Sequence, residues 1–88
     1  MSRIRLARMT KYSDKVEQAL AVHLRVLLAD REMTQQELAS RVGITAGSMS
    51  RYMQGHKSMP MPTFLTVAEV LGVDPGELMA AAVDRASR

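Results

Sequence analysis

The sequence predicts an all-α fold of five short helices around a single core. Apolar residues recur at intervals of three and four along most of the chain, which is the spacing of one helix face. Capping residues and glycines divide this pattern into helix-sized segments. A length of 88 residues allows one core, and a content of 47% hydrophobic but only 3% aromatic residues means that aliphatic and methionine side chains must fill it. We expect residues 1–13 to form a basic, flexible N-terminal arm and residues 14–86 to form the helical domain.

The first helix is predicted to begin with Asp14 as its N-cap, with Glu17 completing a capping box, and to run to about Arg31. Its apolar stripe returns to one face every three or four residues. The stripe comprises Val16, Ala19, Leu20, Leu24, Leu27 and Leu28. His23 borders the stripe and is expected to be half-buried and hydrogen-bonded. No carboxylate-histidine cluster has a plausible metal-ligand spacing, so no metal site is expected.

The second and third helices are predicted from a capping box, a glycine and a second cap. Thr34 and Glu37 form the box, so that a helix begins at Gln35. Gly43 ends this helix, because the chain must then take a left-handed conformation that costs glycine little. Thr45 caps the helix that follows. The apolar side chains expected to pack across this short turn are Leu38, Ala39, Val42, Ile44, Met49 and Tyr52.

The fourth and fifth helices follow a linker that contains two prolines, HKSMPMP at residues 56–62. Pro62 suits the first turn of a helix that runs to Leu71, after which Gly72 ends it. An N-cap, a first-turn proline and a box carboxylate then open the fifth helix: Asp74, Pro75 and Glu77. The core candidates of these two helices are Phe64, Leu65, Val67, Ala68 and Leu71, followed by Leu78, Met79, Ala82, Val83 and Ala86.

From Leu28 to Leu78 the chain resembles the lambda-repressor-like family of phage repressors, Cro proteins and xenobiotic-response-element regulators. The residues that carry the resemblance are Thr34, Gln35, Glu37, Leu38, Ala39, Val42, Gly43, Ile44, Ser50, Gly55, Leu65, Ala68, Leu71, Gly72 and Val73. The resemblance implies a five-helix lambda-repressor-like domain in which helices 2 and 3 form a helix-turn-helix and helix 3 enters the major groove of DNA. The chain departs from the family at Pro60 and Pro62, where a polar cap and an acidic residue are usual.

Base reading would fall to the side of the third helix that lies opposite its apolar face. At about 100° per residue this side carries Ala46, Gly47, Ser50, Arg51 and Gln54. Arg51 is the only long side chain in mid-helix, and its planar fork matches O6 and N7 of guanine. An Arg51 contact to a phosphate is the competing interpretation. Ala46 is expected to pack on a thymine methyl group, Gly47 to permit close approach, and Ser50 to bond to a base or a phosphate.

The resemblance also implies contacts to the DNA backbone. Gln35 matches the family position whose side chain and backbone N–H hold a phosphate, helped by the positive end of the helix dipole. The loop after the third helix is expected to meet the backbone on the other side through Gln54, His56 and Lys57. Three residues at the helix caps are expected to contact phosphates as well: Thr34, Thr45 and Ser48.

The positive charge of the chain is concentrated near its N-terminus. Residues 1–15 carry a net charge of +4, whereas residues 16–88 are close to neutral, at −1. Arg3, Arg5, Arg8 and Lys11 would let an arm follow the DNA backbone or enter the minor groove, where the negative potential attracts arginine. The alternatives are a disordered leader without contacts, or a short amphipathic helix or strand for a partner. The apolar residues of that second alternative are Ile4, Leu6 and Met9.

These features predict a sequence-specific DNA-binding transcriptional regulator, of the phage repressor or Cro type, that occupies an operator in double-stranded DNA. The alternative is a protein-interaction module with the same fold, such as an antitoxin or an anti-repressor. We expect neither an enzyme nor a bound cofactor, metal or small-molecule ligand. The chain has no cysteine, which excludes disulfides, and no apolar run approaches the roughly 20 residues that span a bilayer. A cytoplasmic protein without membrane contact is therefore expected.

We also expect a homodimer, because a single domain of this size rarely recognises enough base pairs and a two-fold dimer matches a near-palindromic operator. The apolar stripe of the fifth helix is wider than one contact needs. Its predicted interface residues are Leu78, Met79, Ala82 and Val83. Met59 and Met61 lie nearby in the linker, although the eight methionines equally suit a role as gap-fillers in a core with few aromatic residues.

Overall fold

The computed structural model describes the backbone of residues 2–88 and the side chains of residues 11–88. This part of the chain contains five helices and no strand: α1 (Ser2–Asp30), α2 (Gln35–Val42), α3 (Ala46–Met53), α4 (Met61–Leu71) and α5 (Pro75–Ala86). The predicted all-α fold of five helices is confirmed. None of these helices, as far as they are described, is both long and apolar enough to cross a membrane.

The first helix begins earlier than the sequence suggests. The predicted start at Asp14, with Glu17 in a capping box, is wrong, because Asp14 lies inside the 29-residue α1. Residues 2–13 contain neither glycine nor proline and include three arginines, so that nothing interrupts the helix before Asp14. The proposed boundary between an arm at residues 1–13 and a domain at residues 14–86 therefore does not coincide with the start of a helix.

Helix α1 sets the long dimension of the molecule. At 1.5 Å per residue, 29 residues span about 43 Å, close to the longest extent of 45 Å. The side chains of residues 11–15 are all exposed, and burial begins at Val16 and is complete at Ala19. Residues 11–15 of α1 therefore lie at the edge of the bundle, while the C-terminal half of α1 forms one wall of the core.

The core lies between α1 and the other four helices. Helix α5 packs along α1, α2 packs against α3 and α4, and α3 also reaches α1. The buried cluster comprises Leu20, Leu24, Leu28, Leu38, Ala39, Met49, Tyr52, Met53, Phe64, Val67, Ala68, Leu71, Leu78 and Ala82. The end of α1 is attached to the end of α4 by Arg31, whose Nε donates a hydrogen bond of 3.1 Å to the carbonyl of Leu71.

The core differs from the sequence prediction at Leu65, at Met53 and at Ala21, which is buried although the predicted stripe of α1 does not include it. Leu65 is predicted to lie in the core, but its side chain is 46% exposed because it lies about 100° around α4 from the buried Phe64. Met53 is not among the predicted core residues and is fully buried. It follows Met49 by four residues and therefore shares its helix face.

The turn between α2 and α3 has the predicted geometry. Thr34 Oγ1 accepts a 3.0 Å hydrogen bond from the N–H of Glu37, and the Glu37 carboxylate bonds back to the N–H of Thr34. Gly43 adopts φ 89° and donates its N–H to Ala39 O at 2.8 Å. Thr45 then caps α3 by accepting a bond of 3.1 Å from the N–H of Ser48. The capping box, the glycine and the second N-cap are therefore confirmed.

The ends of α4 and α5 also follow the predicted signals. Pro60 is the N-cap residue of α4 and makes no side-chain cap bond, and Pro62 lies in the first turn. Gly72 ends α4 with φ 71°. Asp74 Oδ1 accepts a bond of 3.0 Å from the N–H of Glu77, and Pro75 occupies the first turn of α5. The predicted box with the Glu77 carboxylate is not formed, because the Glu77 side chain makes no return bond to the Asp74 N–H.

A pair of glycine-to-alanine substitutions tests the turn. At Gly43 an added Cβ meets no atom within 4 Å, so Gly43→Ala is disfavoured only by the left-handed backbone and should lower the free energy of unfolding by about 1–2 kcal/mol. Gly47 lies inside α3 and its Cβ would also meet no atom within 4 Å, so Gly47→Ala should raise the free energy by about 0.5–1 kcal/mol. Urea titration measures both values. Equal effects of the two substitutions would show that the turn is not left-handed.

Candidate nucleic-acid interface

Helix α3 has one buried side and one polar, solvent-facing side. Met49 and Met53 are fully buried and Tyr52 is 8% exposed. On the opposite side Ala46, Gly47, Arg51 and Gln54 are exposed, whereas Ser50 and Ser48 are half-buried. The structure therefore brings the four predicted base-reading residues onto one accessible face, with Gln54 at its C-terminal end.

Arg51 is the longest side chain of this face. It lies in the last turn of α3 and not in mid-helix as predicted, because α3 ends at Met53. The negative end of the helix dipole stabilises a cation at this position. Among the side chains of residues 11–88, no carboxylate lies within ion-pair distance of the Arg51 guanidinium, and no hydrogen-bond acceptor engages it. Its five N–H donors are therefore available for a bidentate acceptor such as a guanine edge or a phosphate.

The residues predicted to contact phosphates at the N-termini of α2 and α3 differ in their exposure and in the hydrogen bonds that they already make. The Thr34 hydroxyl is engaged twice by Glu37, since Oγ1 accepts from the Glu37 N–H and also lies 3.3 Å from Glu37 Oε1 as its donor. A phosphate at Thr34 would also meet the negative charge of Glu37. Gln35 is half-buried beside this pair. Thr45 is exposed and uses its hydroxyl oxygen to bond the N–H of Ser48.

The loop after α3 presents Gln54, His56 and Lys57, all exposed. The N–H of His56 donates to Arg51 O at 3.0 Å, which continues the last turn of α3 into the loop. Lys57 Nζ lies 5.5 Å from the centroid of the Tyr52 ring, a cation–π distance. The three predicted loop residues therefore stand beside the exposed face of α3.

Two further residues hold this loop, and sequence reasoning did not find them. Ser58 Oγ donates a hydrogen bond of 2.9 Å to Glu17 Oε2 in α1. The two residues are 41 positions apart, and neither belongs to a motif that links them. The sequence predicts instead that Glu17 belongs to a capping box, which does not form because α1 passes through that position without a break.

The predicted contacts of the N-terminal segment are described only in part. Lys11 is exposed on α1. The side chains of Arg3, Arg5 and Arg8 lie outside the described residues. Their backbone belongs to α1, which begins at Ser2.

The predicted dimer interface on α5 is altered by the packing of the protomer. Leu78 and Ala82 are 2% and 0% exposed, because they belong to the core, so they offer almost no surface to a second subunit. Met79 and Val83 are half-buried and line an open groove together with Tyr12, Ser13, Val16 and Glu17 of α1. Tyr12 is 57% exposed. Any interface on this side therefore consists of α1 and α5 residues together.

Comparison with known proteins agrees with this geometry. The model of the Cro/C1-type helix-turn-helix DNA-binding domain family matches residues 23–84. An uncharacterized HTH-type transcriptional regulator of Bacillus subtilis (strain 168), YozG, is 32% identical over 62 residues, which cover 69% of this chain and 74% of that protein.

Solved structures of the clp gene regulator ClgR from Corynebacterium glutamicum have the same fold. One superposes with a TM-score of 0.77 at 25% sequence identity, over 82% of this chain and 77% of that one. A second gives a TM-score of 0.72 at 26% identity, over 78% and 90% of the respective chains. The family match extends from α1 to α5 and includes α2, the turn and α3. The chain therefore belongs to the Cro/C1-type helix-turn-helix family and is a DNA-binding transcriptional regulator.

Proposed function

We propose that this regulator is a sequence-specific repressor of the phage or Cro type, which occupies an operator through the major groove and blocks polymerase. The observation that carries the proposal is Arg51, a guanidinium without an ion-pair partner among the side chains of residues 11–88, on the exposed side of a helix whose other side is buried in the core. A helix held in this way meets DNA as a rigid body, so that no ordering of α3 is needed on binding.

The face of α3 that would enter the major groove of DNA is short, and its small residues are part of how it reads the bases. Ala46 and Gly47 let the first turn of α3 approach the base edges closely, with Ala46 against a thymine methyl group. Arg51 reaches further and places its fork on O6 and N7 of a guanine. Ser50 lies between them and bonds to a base or a phosphate.

Contacts to the two DNA strands flank this face. Gln35 and Thr45 hold phosphates at the N-termini of α2 and α3, where the helix dipoles are positive. Ser48 supports the contact at Thr45. Gln54, His56 and Lys57 hold the backbone on the other side. Thr34 contributes through its cap, because its hydroxyl is already bonded to Glu37.

The regulator is proposed to bind as a two-fold dimer in the cytoplasm. Each α3 would enter one half-site, and the two half-sites would lie about one helical turn of DNA apart. Met79 and Val83, which remain half-buried in the protomer, provide the α5 part of the interface. Tyr12 adds an exposed aromatic side chain from α1 to the same groove.

Arg51→Ala tests base reading. Selection of bound duplexes from a randomised pool would first define the operator. The substitution should then weaken operator binding by about 1–3 kcal/mol and affect a scrambled duplex less, because a bidentate contact to guanine discriminates between sequences. Fluorescence anisotropy measures both affinities. The control is Arg85→Ala, which removes the same charge from an exposed position on α5. Equal losses on the two duplexes would reassign Arg51 to a phosphate.

Replacement of Arg3, Arg5, Arg8 and Lys11 by glutamine tests the N-terminal contribution, because it removes four positive charges and keeps a helix-forming sequence. If these residues bind DNA, the plot of log affinity against log salt concentration should become less steep by about 0.9 for each phosphate that the variant no longer neutralises. The melting temperature should barely change, since Lys11 is exposed and, among the described side chains of α1, burial begins at Val16. An unchanged salt slope would contradict a role of these side chains in DNA binding.

Val83→Glu tests the dimer. Glu17 already lines this groove, so Val83→Glu would place a second carboxylate beside it at the interface. Burying an unpaired charge there is costly, and the variant should sediment as a monomer where the wild type sediments as a dimer. Ala80→Glu places the same charge on an exposed part of α5 and should leave the dimer intact. A wild-type protein that stays monomeric on operator DNA would contradict the two-fold arrangement.

A further inference from the structure

The loop between α3 and α4 is attached to one turn of α1 at two points. At Ser58, the hydroxyl donates the bond of 2.9 Å to Glu17 Oε2. At Gly55, φ is 73° and the backbone lies so close to α1 that an added Cβ would stand 3.1 Å from Gln18 Cγ. Because Glu17 and Gln18 are adjacent, the same turn of α1 holds the loop on both sides of its two central residues.

Those two central residues, His56 and Lys57, are the ones expected to meet the DNA backbone. Their N-terminal side is continuous with α3 through the bond from the His56 N–H to Arg51 O. Lys57 lies over the ring of Tyr52, and Glu17 and Lys57 line the same small cavity. Within residues 11–88, however, no carboxylate is at ion-pair distance from Lys57. The Glu17 carboxylate bonds to Ser58, so the Lys57 ammonium is left for another anion.

We propose that Glu17 is a positioning residue for DNA binding. By accepting the hydrogen bond of Ser58, it holds the loop in the conformation that presents His56 and Lys57 to the phosphates. The inference rests on the proposed function of this loop. Its physical basis is preorganisation, since a loop already fixed on α1 loses less conformational freedom when DNA binds.

The charge of Glu17 and its hydrogen bond act in opposite directions. A carboxylate close to a phosphate-binding loop weakens DNA binding by repulsion, whereas its bond to Ser58 strengthens binding by fixing the loop. The two effects are separable. Glu17→Gln removes the charge and keeps an acceptor oxygen, Glu17→Ala removes both, and Ser58→Ala removes the bond and keeps the charge.

The experiment measures operator affinity and melting temperature for these three variants. Ser58→Ala should bind about three- to tenfold more weakly than the wild type, the range expected for one hydrogen bond. Glu17→Gln should bind at least as tightly as the wild type, and Glu17→Ala more weakly than Glu17→Gln. All melting temperatures should stay near that of the wild type, because the bond is exposed. Ser87→Ala, which removes a hydroxyl bonded only within its own helix, is the matched control.

A double-mutant test asks whether the bond acts through the loop side chains. In a protein that already carries His56→Ala and Lys57→Ala, the loss caused by Ser58→Ala should disappear, because no cation is left to position. The inference is overturned if Ser58→Ala binds like the wild type. It is also overturned if Glu17→Ala equals Glu17→Gln, or if the Ser58→Ala loss persists in that background.

A measurement without DNA separates this inference from the proposed function. Hydrogen exchange of the His56 amide, which is bonded to Arg51 O, should be faster in Ser58→Ala than in Glu17→Gln, because only the first variant releases the loop. If wild-type protein binds no duplex from the randomised pool, the proposed function fails whatever the exchange rates are. If the operator is bound and the exchange rates of the two variants are equal, the positioning role alone fails.

Discussion

The burial of one side of α3 fixes how the rest of the protein can be used. Met49, Tyr52 and Met53 are almost completely buried in the core. Burial of one large apolar side chain stabilises the folded state by roughly 1.5–3 kcal/mol. Rotation of α3 about its axis would expose them, so the face that carries Ala46, Gly47, Ser50 and Arg51 is held outward. The burial of one side of α3 thus determines which residues face the DNA.

The turn before α3 makes this burial possible. Gly43 takes the left-handed conformation that stops α2, and its N–H and that of Ile44 both reach the carbonyl of Ala39. Thr45 is the N-cap with which the next helix, α3, begins. A shorter or differently shaped connection would place α3 at another angle to α2, and Leu38 and Ala39 would no longer face Met49. The left-handed conformation of Gly43 is therefore one of the features on which the crossing of the two helices depends.

Helix α1 links parts of the molecule that are distant in sequence. Arg31, at its C-terminal end, bonds to the end of α4. The middle of α1 packs against α3 and α5. Glu17 and Gln18 contact the loop after α3. In residues 16–88 the basic side chains are balanced by acidic ones, so this part of the chain has no overall positive charge to attract DNA. The position of each cation consequently matters more than it would in a strongly basic domain, and this raises the importance of the loop that carries Lys57.

The sequence by itself determined the features that depend on local chemistry. The caps at Thr34 and Thr45, the left-handed Gly43 and the exposed Arg51 all follow from residue type and helical spacing, and each was predictable. Only the tertiary structure decided features that depend on distant or competing contacts. The start of α1 was misplaced because Asp14 has the chemistry of a cap but lies within an uninterrupted helix. The bond between Glu17 and Ser58 arises because packing brings together residues that no local pattern relates. The apolar stripe of α5 predicts that Leu78 and Ala82 are covered, but only the packing of the protomer decides that its own core covers them and not a second subunit.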